Sequence, residues 1–167
     1  GSTIQWETIS TVAELQALAA SKDPAVLAKN YKLARDLDLS GVTFSGIGSA
    51  SAPFTGMFDG QGHTVSHVTV KGGDNARFFN VTLGAVIKNL HLSDVNVTGG
   101  SRVGGLVGWA RAELDRQDMA GSKAGLAGSC TVSGTVSGSR AVGGLVGLNE
   151  GLSDQETMFS VASAVDK

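Results

Sequence analysis

Apolar residues recur at i and i+2 in short bursts along the chain: Val68 and Val70, Leu90 and Leu92, Cys130 and Val132, Phe159 and Val161. Alternation of this kind buries one face of a short strand and leaves the other to water. Leu37 and Leu39 in "RDLDLSG" read as an earlier member, and successive pairs from Leu37 onward stand 31, 22, 40 and 29 residues apart. A different pattern stands near the start. In "TISTVAELQALAAS", Thr11 and Glu14 make a capping box, and Val12, Leu15, Leu18 and Ala19 form the apolar stripe of a helix. Asp23-Pro24 can open a further helical turn before a strand near Tyr31.

The strand bursts belong to a larger repetition. "VGGLVG" occurs at Val103–Gly108 and again at Val142–Gly147, so that Leu145-Val146-Gly147 follows Leu106-Val107-Gly108 by 39 residues. A degenerate copy, Phe78-Phe79-Asn80, precedes the first by 28. Units that cannot bury their own apolar side can do so by stacking, with like residues about 4.8 Å apart in a parallel ladder. The pattern predicts an all-β solenoid, a right-handed parallel β-helix, with glycines at the corners. A β-sandwich is the competing architecture, but it needs no in-phase repetition. Residues 1–2 read as a cloning scar, 3–30 as an N-terminal helical cap over the first coil, and 31–167 as the parallel β-helix. The alignment of apolar pairs puts His67 level with Asn89, and Cys130 level with Leu90 and Phe159.

The segments "PFTGMFDGQGHTVSHVTV" and "IKNLHLSDVNVTG", followed by the two "VGGLVG" copies, resemble the GLUG-repeat regions of large bacterial surface proteins and immunoglobulin A1 protease-type exoproteins. The resemblance runs from about Tyr31 to Gly151. It implies a right-handed parallel β-helix, secreted or surface-attached, in a bacterium, acting as a stalk or adhesive module without catalysis.

One interval breaks the rhythm. Between Gly147 and Phe159 lie 11 residues, whereas between Gly108 and Cys130 lie 21, which marks an insertion in "WARAELDRQDMAGSKAGLAGS", residues 109–129. Ala110–Met119 favours helix before Gly121 stops it. Insertions in repeat folds map to loops on one face, often the binding face. Trp109, Arg111, Glu113, Asp115, Arg116 and Asp118 are therefore the candidate binding residues, with a tolerated surface excursion as the alternative.

Composition narrows the function classes. The 167 residues are 41% hydrophobic, enough for a core, and contain 24 glycines against a usual share of about 7%. Thirteen basic and fifteen acidic side chains leave a net charge of −2 without a basic cluster, so nucleic-acid binding has no electrostatic footprint. No apolar run approaches the roughly 18 residues of a membrane span, and no membrane insertion is expected. The single cysteine, Cys130, excludes an intrachain disulfide and a multi-cysteine zinc site.

Motifs for chemistry mostly fail on spacing. A dinucleotide fingerprint ending at Gly108 or Gly147 needs glycine at 103 or 142, and both are valine. Asp36, Asp38, Ser40 and Gly41 match the start of a calcium loop, but its twelfth position is Ile47 rather than Glu. The alternative is a strand with leucines inward and aspartates outward. His63, His67 and His91 lack zinc-protease spacing, and His67 and His91 are expected to face outward on neighbouring strands. Asp59, Asp74 and Asp94 supply acids without a recurring pair, and Asp59 before Gly60 reads as a turn residue. Cys130 reads as a buried, inert thiol. Asn80-Val81-Thr82 and Asn96-Val97-Thr98 match the N-glycosylation sequon.

No catalytic residue, metal or cofactor is expected. The reading is a non-enzymatic extracellular module of a bacterial surface protein, adhesin or stalk, with surface glycan or protein as its partner. A carbohydrate-active enzyme, lyase or hydrolase, is the alternative. An ice-binding face would need regular Thr-x-Thr ranks, of which only Thr98 and "TVSGTVSG" are visible.

Overall fold

A computed structural model describes residues 5–72, 77–100, 107–111, 125–127, 130–138, 146–150, 158–159 and 163–166. The chain opens with strand β1 (Trp6–Ile9) and helix α1 (Val12–Ala20). Thr11 caps α1: its Oγ1 accepts the Glu14 N–H at 3.1 Å, while the Glu14 carboxylate accepts the Ser10 N–H at 3.0 Å. A one-turn helix, α2 (Pro24–Leu27), follows, its first turn held by the Asp23 carboxylate accepting the Ala25 N–H at 2.9 Å. Strands then dominate: β2 (Asn30–Leu33), β3 (Leu37–Asp38), β4 (Met57–Asp59), β5 (Thr64–Ser66), β6 (Thr69–Lys71), β7 (Phe79–Leu83), β8 (Val86–Lys88) and β9 (His91–Thr98). The later strands are β10 (Val107–Arg111), β11 (Gly125–Ala127), β12 (Cys130–Gly138), β13 (Val146–Glu150), β14 (Met158–Phe159) and β15 (Ser163–Asp166).

Every ladder among the described residues is parallel, and three separate sheets result. The first runs β1-β2-β4-β8-β11 and the second β7-β10-β13. The third runs β3-β5-β9-β12-β14, with β6 also on β9 and β15 also on β12. The doubled hexapeptide supplies the second sheet, because Val107 opposes both Phe79 and Val146. These are the intervals of 28 and 39 visible in the sequence.

The expected class, an all-β solenoid in the form of a right-handed parallel β-helix, is corrected to a mixed fold of helices and parallel strands lying in three separate sheets. The helices are not an addition outside a β core. Leu15 and Leu18 of α1 and Leu27 of α2 belong to the same buried cluster as Leu33, Phe58, Val65 and Leu92 from the strands. Repetition in a sequence reports which segments stack, but it carries no information on how sheets divide or on what else enters their core. The helix expected over Ala110–Met119 is corrected at its start, while residues 112–119 lie outside the described residues. Ala110 and Arg111 continue β10, and Gly125–Ala127 pairs with Val86–Lys88 as the last strand of the first sheet. Residues 109–111 and 125–127 thus have ladder partners that fix them as strand.

Two registers differ from the apolar-pair alignment. Val65 opposes Leu92 and Val70 opposes Val97, so His67 stands level with Asp94 rather than Asn89. Cys130 opposes Met158, one residue before Phe159. For His67 the reason lies in a kink. His67 (φ 58°), between β5 and β6, and Asp94 (φ 51°), within β9, are both left-handed and stand at the same level, with buried apolar residues on either side. An i, i+2 pair before the kink therefore looks like one after it.

Five phenylalanines, Phe44, Phe54, Phe58, Phe78 and Phe79, are fully buried in the interior, in edge-on, tilted and stacked contacts with centroids 4.9–6.3 Å apart. Cys130 is also buried, its thiol directed at the Ile87 carbonyl at 3.7 Å, and burial pushes its pKa up. Native protein should therefore resist a thiol reagent until denaturant is added. Labelling of the folded chain as fast as the unfolded chain would contradict this placement.

Candidate functional site

The insertion is only partly in view. Trp109 and Arg111 sit on β10, opposite Val81 and Leu83 of β7 on one side and Leu148 and Glu150 of β13 on the other. Glu113, Asp115, Arg116 and Asp118 lie outside the described residues. The structure thus places two of the six candidates on one strand, two residues apart.

The polar chemistry that is in view gathers on the outward side of the third sheet. Strand alternation sends Val65, Val70, Leu92, Val97 and Val132 into the core. Their neighbours form ranks across strands: Thr64, His91 and Thr131; Asp38, Ser66 and Ser93; Thr69, Asn96 and Thr135; Lys71 and Thr98. All three histidines of the chain lie on or beside this face, and each bonds to a side chain from an adjacent strand or its flanking loop. His63 Nδ1 is 3.2 Å from Asp36 Oδ1, His67 Nδ1 is 2.9 Å from Asp38 Oδ1, and His91 Nδ1 is 2.7 Å from Thr131 Oγ1. The other ring nitrogen of His67 stands 3.7 Å from Asp94 Oδ2, so this ring bridges two carboxylates from different strands.

The sequence reading took the aspartates and histidines separately and missed these pairs. The signal was present: His63 and His67 follow Asp36 and Asp38 by 27 and 29 residues, close to the interval of the ladder that joins β3 to β5. Asp38 closes a turn, its Oδ1 accepting the Ser40 hydroxyl at 2.6 Å and the Ser40 N–H at 2.9 Å, while Ile47 is fully buried. Among the described residues no group of three acidic, histidine or cysteine side chains is placed to hold a metal ion. Asp59 is likewise held by its turn, accepting the Gln61 N–H at 2.8 Å and the Asn89 amide at 3.4 Å. Asp74 lies outside the described residues.

These bonds set the acid response. The Ser40 hydroxyl and N–H, then His67, hold the Asp38 carboxyl at about 2, and the Thr64 N–H with His63 lowers Asp36 as well. A carboxyl whose pKa is depressed by folding contributes stability above its unfolded pKa near 4 and loses it as pH falls toward the folded value. Urea midpoints should therefore fall between about pH 4 and pH 2. Asp38→Asn should reduce that fall, and a slope unchanged by the substitution would contradict the assignment.

A second feature is a cleft of about 420 Å³ between β1, α1 and β2, floored by Ile9, Leu18, Val26 and Tyr31 and edged by Glu7 and Lys29. Its polar groups are engaged: Tyr31 donates to the Val26 carbonyl at 2.8 Å, and Lys29 pairs with Glu7 at 3.6 Å. No helix among the described residues is long and apolar enough to cross a membrane.

Comparison with known proteins finds similarity to Halomucin of Haloquadratum walsbyi. The identity is 34% over 159 residues, covering 85% of this chain. The chain spans about 2% of that relative's length. This similarity to a large archaeal surface protein speaks for a cell-surface or secreted chain and gives no support to a bacterial source. No family model matches the chain, and no solved structure matches it significantly.

Proposed function

We propose that the chain is a non-enzymatic module of a very long cell-surface protein, a stalk segment that also presents adhesive contacts to surface glycan or protein. The observation that carries the reading is the match to Halomucin, which takes in most of this chain and a small fraction of the relative. The sheets suit a stalk. Each internal strand is hydrogen-bonded in parallel to strands before and after it, so force on one rung is shared across several backbone bonds. The histidines and their aspartate partners are tied into turns and cross-strand pairs. In this reading the GLUG-like repeats serve as the structural unit, and adhesive contacts run through Trp109, Arg111 and the residues that follow.

Antibody against the chain should label intact cells of the organism that makes it, and external protease should remove the epitope. Labelling only after lysis would end the surface reading. Deleting residues 112–124, between β10 and β11, should leave surface labelling in place while reducing attachment to a glycan-coated support, and undiminished attachment would move the contacts elsewhere.

A further inference from the structure

Two N-x-Thr sequons stand 16 residues apart, and the fold treats them in opposite ways. Asn96 lies on β9 in the middle of the third sheet, exposed on the outward side, and Thr98 two residues on is exposed on the same side. The backbone there is fixed by the sheet, the Asn96 N–H donating to the Val68 carbonyl at 2.8 Å. Among the described residues no hydrogen bond engages the Asn96 side-chain amide. Its lateral neighbours are Thr69 and Thr135, one strand spacing of about 4.8 Å away on either side, small and hydroxylated.

Asn80 is the reverse. It is half-buried on β7, its Nδ2 donates to the Ser45 carbonyl at 3.0 Å, and its Oδ1 is shut from solvent against Gly46, where an added Cβ would collide with it. Thr82, the hydroxyl of that sequon, is only 4% exposed. A saccharide on Asn80 would have to break the Ser45 contact and reopen the packing at Gly46.

We propose that Asn96 is an N-linked glycosylation site and that Asn80, despite the same motif, is not. The donor is a lipid-linked saccharide. Asn96 Nδ2 bonds to the anomeric carbon, the bond from that carbon to the phosphate oxygen breaks, the lipid phosphate leaves with the electron pair, and the amide nitrogen loses a proton. The attached saccharide lies over the ranks of Thr69, Asn96 and Thr135, where hydroxyl groups meet hydroxyl groups, and covers the outward face of the third sheet with a hydrated layer.

The inference rests on the surface reading, since the modification requires passage through a secretory route. Its test is chosen to be read separately. The chain is secreted through a cell that has an N-linked glycosylation pathway, and its intact mass and peptides are measured. One saccharide should be found, localised to Asn96, lost in Asn96→Gln and Thr98→Val, and retained in Thr98→Ser and Asn80→Gln. A secreted, folded chain with bare Asn96, or one modified at Asn80, overturns the inference whatever the cell-labelling experiment shows. Labelling only after lysis removes the surface reading and with it the setting for this site.

Discussion

Phe79→Ala should lower the free energy of unfolding by about 3–5 kcal/mol, the range for deleting a large aromatic from a close-packed core. Phe79 is fully buried, and its ring meets Phe54 and Phe58 at 5.3 Å and Phe78 at 5.2 Å. No neighbour can collapse into the space without leaving its own aromatic contact, so the cavity stays open. The residue also anchors a ladder: its backbone opposes Val107 of β10 and bridges to Ile47. Domains of this size are stable by only about 5–15 kcal/mol, so the variant should lose a large share of its margin. Urea unfolding followed by circular dichroism measures this directly. A loss below about 1 kcal/mol would mean that the aromatic interior is loosely packed.

Gly48→Ala should cost about 3 kcal/mol by a different route. Gly48 has φ of 84°, where an L side chain costs about 1–2 kcal/mol. A methyl group there would also stand 2.5 Å from the Val81 carbonyl oxygen and 2.9 Å from the Phe54 nitrogen. Those two atoms are hydrogen-bonded to one another at 3.0 Å, so the methyl group wedges into a backbone bond that ties the loop to β7. Losing that bond in a buried place adds about 1–3 kcal/mol. The same denaturation experiment reads the result, with Gly41→Ala as the comparison. Gly41 also has positive φ, at 75°, but an added Cβ meets nothing within 4 Å, so it reports the backbone cost alone. Equal losses at the two positions would show that the wedge has no effect.

How much of this could be read beforehand differs from residue to residue. Thr11 and Glu14 are three positions apart in one chain segment, and the cap they form depends on nothing beyond that segment. Val107 and Val146 were visible as rung-mates because two copies of one hexapeptide align in a single register, and the degenerate copy at Phe79 follows the same alignment. The register of Val65 with Leu92 was hidden by the left-handed residues His67 and Asp94, which a binary pattern cannot distinguish from ordinary polar positions. At Asn80 and Asn96 the motif is the same three letters, and only burial separates them.

The sequence by itself determined what is short-range or periodic in this protein: the cap of α1, the one-sided strands, the parallel pairing of like segments and the burial of Cys130. Its single-residue alternation sets which side chains turn inward, since that choice depends only on neighbours along the strand. The tertiary structure decided how the strands divide into three sheets, that Leu15, Leu18 and Leu27 enter the same core, and which aspartate meets which histidine. Those outcomes turn on which segments meet in space, such as Asp36 and His63, 27 residues apart, and hydrophobic burial, being non-directional, does not write them into any local pattern.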